Sequence, residues 1–176
     1  MQMTRAGDLM IPLEKYPHIP HWFTLKQAMA EMENSELDID GRKSLPRVVL
    51  VFDEKYQLVG MLRRRDILRG LEPEFLLEKP LSYRKKLFDV KVDPQLSEIS
   101  YDHILEGVRS RANRPVSDVM IPVAGTADFN DHIVKVVYEM NANKFSLLPV
   151  LKDGRVVGVV RTVDVFREFA KLVLGH

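Results

Sequence analysis

The sequence Asp118-Val119-Met120-Ile121-Pro122 repeats, almost letter for letter, the sequence Asp8-Leu9-Met10-Ile11-Pro12 near the start of the chain. A second match follows each copy, because residues 24–32 align with residues 132–140. In both of these stretches the apolar residues recur at intervals of three and four, which predicts an amphipathic helix. Phe23-Thr24 and Asn130-Asp131 supply predicted N-caps just before the two helices. Internal repetition is therefore the feature that organises the chain.

A third match follows each predicted helix and has the pattern of a β-hairpin. Residues 48–52 and 58–62 are apolar runs that flank a polar turn at residues 54–57. In the second copy, residues 147–151 and 156–160 flank a turn that contains Asp153-Gly154, and Asp-Gly between apolar runs is a strong hairpin signal. Each hairpin leads into another predicted helix, which starts near Arg63 in one copy and near Arg161 in the other.

Each copy therefore predicts the order strand, helix, strand, strand, helix, and the fold class is α/β (α+β). A unit of about sixty residues buries its sheet poorly on its own. We therefore expect two βαββα copies packed sheet to sheet about a pseudo-twofold axis. The expected division is residues 1–72 for the first copy, 73–114 for a helical connector and 115–176 for the second copy. The first copy carries extra polar residues at about 33–46, which we interpret as an inserted surface loop that turns at residues 38–41.

The connector is too long for a bare linker. Residues 73–77 and 81–88 predict short helical pieces, and residues 97–108 carry a helical apolar stripe. We expect the connector to pack on the two copies and not to form a third domain.

Composition excludes several classes of function. The chain has 45% hydrophobic and 29% charged residues and a formal net charge of +1, which is ordinary globular composition without a general attraction to nucleic acid. It has no cysteine, which removes disulfides, thiolate metal sites and a cysteine nucleophile. Neither a signal-peptide pattern nor a membrane-length apolar run is present, and we expect a cytoplasmic protein.

The ordered set of motifs, occurring twice, resembles cystathionine-β-synthase (CBS) domains. The motifs are Asp-Val-Met-x-Pro, an Ala/Val-x-x-Met helix, a Pro-Val strand and Val-Gly-Val-Val-x-x-x-Asp. Two such domains in one chain resemble a Bateman module. The resemblance implies a regulatory module, not an enzyme, with no catalytic residues and no required cofactor. It also implies clefts that bind AMP, ADP, ATP or S-adenosylmethionine, further dimerisation into a homodimer, and a separate regulated protein that remains unidentified.

The resemblance also implies ligand-binding residues. Asp66 and Asp164 match the aspartate that binds ribose in the family. The position of the family's phosphate-binding hydroxyl is taken by Arg63 and Arg161, and Thr162 follows one place later. Arginine can hold a phosphate through two hydrogen bonds, or can fill the cleft. By position, the adenine would lie near six further residues: His18, Ile19, Val49, Thr126, Ala127 and Leu148.

Competing interpretations remain open from the sequence. Asp66 and Asp164 can simply cap their helices while the arginines pair with surface acids. The chain is then a nucleotide-free oligomerisation or protein-docking module. The basic run 63–65 with Arg69 is compatible with nucleic acid, a weaker interpretation at this net charge. His18 and His21 flank Pro20 without a third ligand in register, so we predict a loop there and no metal.

Overall fold

The computed structural model describes residues 3–72 and 101–175, and both copies of the repeat lie in these ranges. The helices and strands that precede residue 73 are α1 (Ala6–Leu9), β1 (Ile11–Pro12), β2 (His18–Pro20), α2 (Leu25–Asn34), β3 (Leu37–Ile39), β4 (Arg42–Ser44), β5 (Val48–Phe52), β6 (Leu58–Arg63) and α3 (Arg64–Leu71). Those that follow residue 100 are α4 (Tyr101–Arg111), β7 (Ala127–Asp128), α5 (Ile133–Asn143), β8 (Leu147–Lys152), β9 (Arg155–Arg161) and α6 (Thr162–Leu174). The predicted pieces at residues 73–77 and 81–88 lie outside the described residues, whereas α4 coincides with most of the predicted stripe at 97–108.

The two copies build equivalent sheets. In the first copy β5 is central, with β2 parallel on one side and β6 antiparallel on the other. In the second copy β8 is central, with β7 parallel and β9 antiparallel. The predicted order of strand, helix, strand, strand, helix is confirmed in both. The antiparallel neighbours follow from the tight turns, and each parallel neighbour requires the intervening helix as a crossover.

The two copies exchange their first segments. β1 pairs with β9 of the second copy, and Ile121 makes the equivalent antiparallel bridge to Met61 of the first. Three backbone hydrogen bonds of one exchanged segment have equivalents in the other. Ala6 N to Asp131 O corresponds to Val116 N to Phe23 O, and Gly7 N to Phe129 O corresponds to Ser117 N to His21 O. Ile133 N to Thr4 O corresponds to Leu25 N to Arg114 O. These equivalent hydrogen bonds are the contacts expected for two copies related by a pseudo-twofold axis.

The exchange decides which residues fill each core. Val116 and Val119 lie in the core of the first copy, and Ala6 lies in the core of the second. A third core between the sheets contains Leu50 and Val159, both fully buried. Neither copy encloses its own apolar residues without the other, which is the physical reason for the pair.

A glycine marks each point of close approach. At Gly158 an added Cβ would collide with the carbonyl oxygen of Ile11. At Gly60 it would lie 2.7 Å from the sulfur of Met120 and 3.0 Å from the carbonyl oxygen of Ile121. The glycine of each strand, in Val59-Gly60-Met61 and in Val157-Gly158-Val159, therefore admits the first segment of the opposite copy.

The inserted stretch of the first copy is not an irregular loop. β3 and β4 pair there as a short antiparallel hairpin, and Leu37 is buried in the core between the sheets. Asp40 and Gly41 have φ of 53° and 77°, and the amide of Gly41 donates to Asp38 Oδ1 at 3.0 Å. The predicted turn is confirmed, whereas the loop prediction was wrong because polar residues on the exposed side obscured the inward Leu37.

Two other local predictions need correction. Thr24 caps α2 as expected and accepts a hydrogen bond from the amide of Gln27, but His132 caps α5 in the place of Asn130 or Asp131. Asp131 instead accepts from the amide of Asp128 and from Lys135. Residues 18–20, predicted as a loop from Pro17 and Pro20, form β2, an edge strand where a proline loses no ladder hydrogen bond.

Candidate functional site

Asp66 forms a closed unit with Arg63 at the start of α3. The carboxylate is fully buried and accepts from Arg63 three times: from the backbone N at 2.9 Å, from Nε at 2.8 Å and from Nη2 at 2.9 Å. Burial by itself raises the pKa of a carboxyl, but the hydrogen bonds and charge of Arg63 outweigh it and hold the pKa of Asp66 below its ordinary value. A ribose at Asp66 would have to share oxygens that already carry these bonds.

Asp164 repeats this arrangement at the start of α6. Nε and Nη2 of Arg161 lie 2.7 Å from Oδ2 and Oδ1 of Asp164, respectively. Arg167, one turn later, approaches the same carboxylate at 4.0 Å. Both pairs have the i,i+3 spacing of helix-surface partners. The structure thus brings together the residues that the resemblance assigned separately to ribose and to phosphate.

A cavity of about 640 Å³ lies between the β3–β4 hairpin and the start of α6, and we call it the basic cavity. Its basic lining residues are Arg42, Lys43, Arg47, Arg161 and Arg167. No Asp or Glu is among the described residues that line it. Thr162, Ser44 and Ser146 add hydroxyl groups. This volume is within the range of small-molecule sites.

Buried groups support the inner wall of the basic cavity. Tyr16 is buried, and its hydroxyl donates to the carbonyl of Val48. Burial raises the pKa of the Tyr16 phenol, and the positive charge of Arg161 opposes this effect only in part. The backbone N of Thr162 donates to the carbonyl of Ser146 at 2.9 Å, which ties the start of α6 to the end of the loop before β8. The wall is therefore held by residues from both copies.

The basic cavity contains residues that the sequence did not indicate. Arg42, Lys43 and Arg47 belong to the insertion or its edge, which was interpreted as a surface loop. The sequence shows these three basic residues within six positions. Only the folded hairpin shows that they line the same cavity as the start of α6. Among the predicted residues, Arg161 and Thr162 line this cavity.

An adjoining cavity of about 520 Å³ shares Ile39 and Arg167 with the basic cavity. Its lining includes Asp164, Asp8 and Asp40. Asp164 therefore faces a different space from Thr162, although only Val163 separates them in sequence. A ligand that contacts both would have to pass around Arg167.

The six residues assigned to adenine are not gathered at one place. His18 and Thr126 line a third cavity of about 970 Å³ between the turns of the two hairpins. The remaining four are buried in the cores of the copies: Ile19, Val49, Ala127 and Leu148. None of the six lines the basic cavity.

The arginine run at the start of α3 is largely engaged in contacts within the first copy. Arg63 and Arg69 contact Asp66, and Nη2 of Arg64 donates to the carbonyl of Pro46 at 3.4 Å. Such internal pairing leaves few of these charges available for a nucleic-acid backbone.

Two general features concern the described ranges only. Within residues 3–72 and 101–175, no group of three or more His, Asp or Glu residues is arranged to hold a metal ion. Among the helices in the same ranges, none combines the length and apolar character needed to cross a bilayer.

Comparison with solved structures shows the same fold. A CBS-pair protein from Arabidopsis thaliana, CBSX2, superposes with a TM-score of 0.64 at 16% identity over 98% of this chain and 99% of that chain. CBSX2 in complex with AMP gives 0.61 at 17% identity over 96% and 98%. The cytosolic domain of the Mg²⁺ channel MgtE in complex with ATP gives 0.59 at 20% identity over 93% and 48%.

At these identities the structural likeness is one of fold. No curated protein sequence matches the chain. The family model for the CBS domain matches residues 7–73 and 116–171, the two segments that contain the repeated motifs and their exchanged first turns. With the sheet order and the reciprocal pairing described above, this match shows that the chain belongs to the CBS domain family and carries two of its domains.

Proposed function

We propose that this chain is a regulatory module that binds an adenosyl nucleotide between its two CBS domains and signals to a partner protein by a change of conformation or assembly. The observation that carries the proposal is the basic cavity, which both domains line and which has the volume of a nucleotide site. The AMP complex of CBSX2 and the ATP complex of the MgtE cytosolic domain support it, because proteins of this fold hold such ligands.

The chemistry of the basic cavity suits the phosphate end of a nucleotide. Arginine and lysine attract phosphate, and the hydroxyl of Thr162 lies at the N-terminal end of α6, where the helix dipole favours an anion. Phe166 and Leu45 provide apolar surface beside these charges. The site is proposed to be non-catalytic, with the nucleotide acting as an effector.

The test is a thermal-shift series with AMP, ADP, ATP and S-adenosylmethionine at millimolar concentration. A ligand at one hundred times its Kd stabilises the native state by about 2.7 kcal/mol. We expect Thr162→Val to reduce the shift and Thr126→Val, in the cavity between the hairpin turns, to leave it unchanged. Absence of a shift with every nucleotide would overturn the proposal.

A second candidate function is a constitutive oligomerisation or docking module. The observation that favours it is the engagement of both ribose-type carboxylates by arginine, through Arg63 on Asp66 and Arg161 on Asp164. In that case the oligomeric state is the same with and without nucleotide. Sedimentation velocity in the presence and absence of ATP separates the two functions.

For either function we propose a homodimer formed through α5 and α6, which pack side by side. Four apolar residues on these helices are mostly exposed: Val134 60%, Tyr138 68%, Phe166 71% and Val173 78%. Exposed apolar patches of this kind mark interaction surfaces. The residues that occupy the places of Val134 and Tyr138 on α2 are Lys26 and Ala30, so the second domain carries the more apolar face.

A further inference from the structure

The β3–β4 hairpin gives this chain a cationic wall that its own second domain lacks. Arg42 belongs to β4, and Arg47 follows it just before β5. In the second domain α5 and β8 are separated by only a few residues, with no room for an equivalent hairpin. The wall is therefore an addition to one of the two copies, and the basic cavity is asymmetric with respect to the pseudo-twofold axis.

The charges in this cavity are only partly neutralised. Lys43 pairs with Glu36 at 2.9 Å, and Arg161 and Arg167 share Asp164. Arg42 and Arg47 form no ion pair with any residue in the described ranges. Glu36 and Asp164 thus pair with three of the five basic side chains, and Asp38 adds a negative charge near Lys43, so the lining carries an excess of about two positive charges.

This excess selects among the ligands of the proposed function. A terminal phosphate carries a charge of about −1.5 to −2 at neutral pH, and each further phosphate in a chain adds negative charge and oxygens that can accept hydrogen bonds from more of the lining arginines. S-adenosylmethionine has no phosphate and carries a sulfonium cation, which the arginines repel. Arg42 and Arg47 line the cavity from the hairpin and the segment that follows it, whereas Thr162 lines it from the start of α6.

We infer that the basic cavity binds a chain of two or more phosphates, with Thr162 and the start of α6 at one end and Arg42 and Arg47 of the insertion at the other. If the phosphates belong to a nucleotide, the inference rests on the proposed function, and the ligand is a nucleoside di- or triphosphate. The same chemistry would accept inorganic polyphosphate, so the experiment includes both sources.

The experiment is isothermal titration calorimetry of the purified chain with AMP, ATP, S-adenosylmethionine and inorganic tripolyphosphate, all at one ionic strength. The test variant is Arg42→Gln/Arg47→Gln. The matched control is Arg65→Gln/Arg109→Gln, which removes the same charge from two exposed positions outside the cavity. All four side chains are exposed, so neither variant should alter the melting temperature by more than a degree or two.

We expect wild-type protein to bind ATP at least about tenfold more tightly than AMP, and the test variant to lose about that factor for ATP while AMP changes little. The control should retain the wild-type ratio. Equal affinity for AMP and ATP, or an unchanged ratio in the test variant, overturns the inference and leaves nucleotide sensing intact. Arginine-dependent binding of tripolyphosphate without binding of any nucleotide supports the inference and overturns the nucleotide function. Binding of S-adenosylmethionine alone overturns the inference and leaves the proposed function, and binding of none of the four compounds overturns both.

Discussion

Arg161 holds both carboxylate oxygens of Asp164, with Nε and Nη2 each 2.7 Å from an oxygen. The equivalent Arg63 and Asp66 do the same in the first domain. A residue expected to receive ribose and a residue expected to receive phosphate are therefore partners of each other, and the pair has a structural role before any ligand binds.

Replacing Asp164 should destabilise the protein in the absence of ligand. Asp164→Asn removes a charge-assisted pair in which both partners are largely buried, and we expect the free energy of unfolding to fall by about 2 kcal/mol. Asp102→Asn is the control, because Asp102 also lies in the first turn of a helix but is exposed. Urea denaturation of the two variants measures the difference, and equal midpoints would show that the pair does not stabilise the fold.

Asp66 should contribute to acid sensitivity. Although burial acts in the opposite direction, the contacts from Arg63 hold the pKa of Asp66 below its unfolded value of about 3.9. A carboxyl with a lowered native pKa stabilises the fold above that range, and this contribution is lost as the pH falls through the native pKa. Asp66→Asn should therefore lower stability at pH 6 and flatten the loss of stability below pH 4, as measured by chemical denaturation across the pH series. A slope below pH 4 identical to that of wild type would refute the assignment.

Glycine substitutions should change stability in opposite directions at two positions. Gly158→Ala drives a methyl group into the carbonyl of Ile11, and overpacking of this kind costs about 1–3 kcal/mol. Gly107→Ala lies within α4 with nothing near the new atom, and should stabilise by up to about 1 kcal/mol. Thermal unfolding of both variants checks the prediction, which fails if Gly158→Ala is neutral.

The exchanged segments should couple the two domains. Val116 belongs to the second domain by sequence but is fully buried in the core of the first. Val116→Ala should therefore reduce hydrogen-exchange protection of amides in β5 and β6, with a loss of about 2 kcal/mol in stability. Leu68→Ala, at a 63% exposed position outside the proposed dimer face, is the control. Loss of protection confined to α5, β8 and β9 would contradict the exchange.

A charge on the face of α5 and α6 should reduce association. We expect Tyr138→Glu and Val173→Glu each to raise the dimer dissociation constant by tenfold or more, because the new carboxylate would be buried without a partner. Tyr56→Glu provides the control at an 85% exposed residue in the turn between β5 and β6. Sedimentation velocity reports the dissociation constants, and equal values for all three variants would exclude this face.

The architecture could be predicted because the motif set occurs twice, and each copy has a helical apolar pattern followed by two apolar runs around a turn. The exchange was not, because nothing in residues 8–12 distinguishes pairing with their own copy from pairing with the other. The i,i+3 spacing of each Arg–Asp pair was visible in the sequence. The spacing alone does not show whether the aspartate binds that arginine or the ribose of a ligand. The contribution of Arg42 and Arg47 could be recognised only from the hairpin, since the inward side of β3 consists of just Leu37 and Ile39 among many polar residues.

The reciprocal backbone pairing has a mechanical consequence. The first turn of each domain is hydrogen-bonded to the other domain. The two domains therefore cannot separate as rigid bodies without breaking several backbone hydrogen bonds at once. For the proposed function we therefore expect an effector to change the orientation of α5 and α6, or of the β3–β4 hairpin, and not to open a gap between the domains.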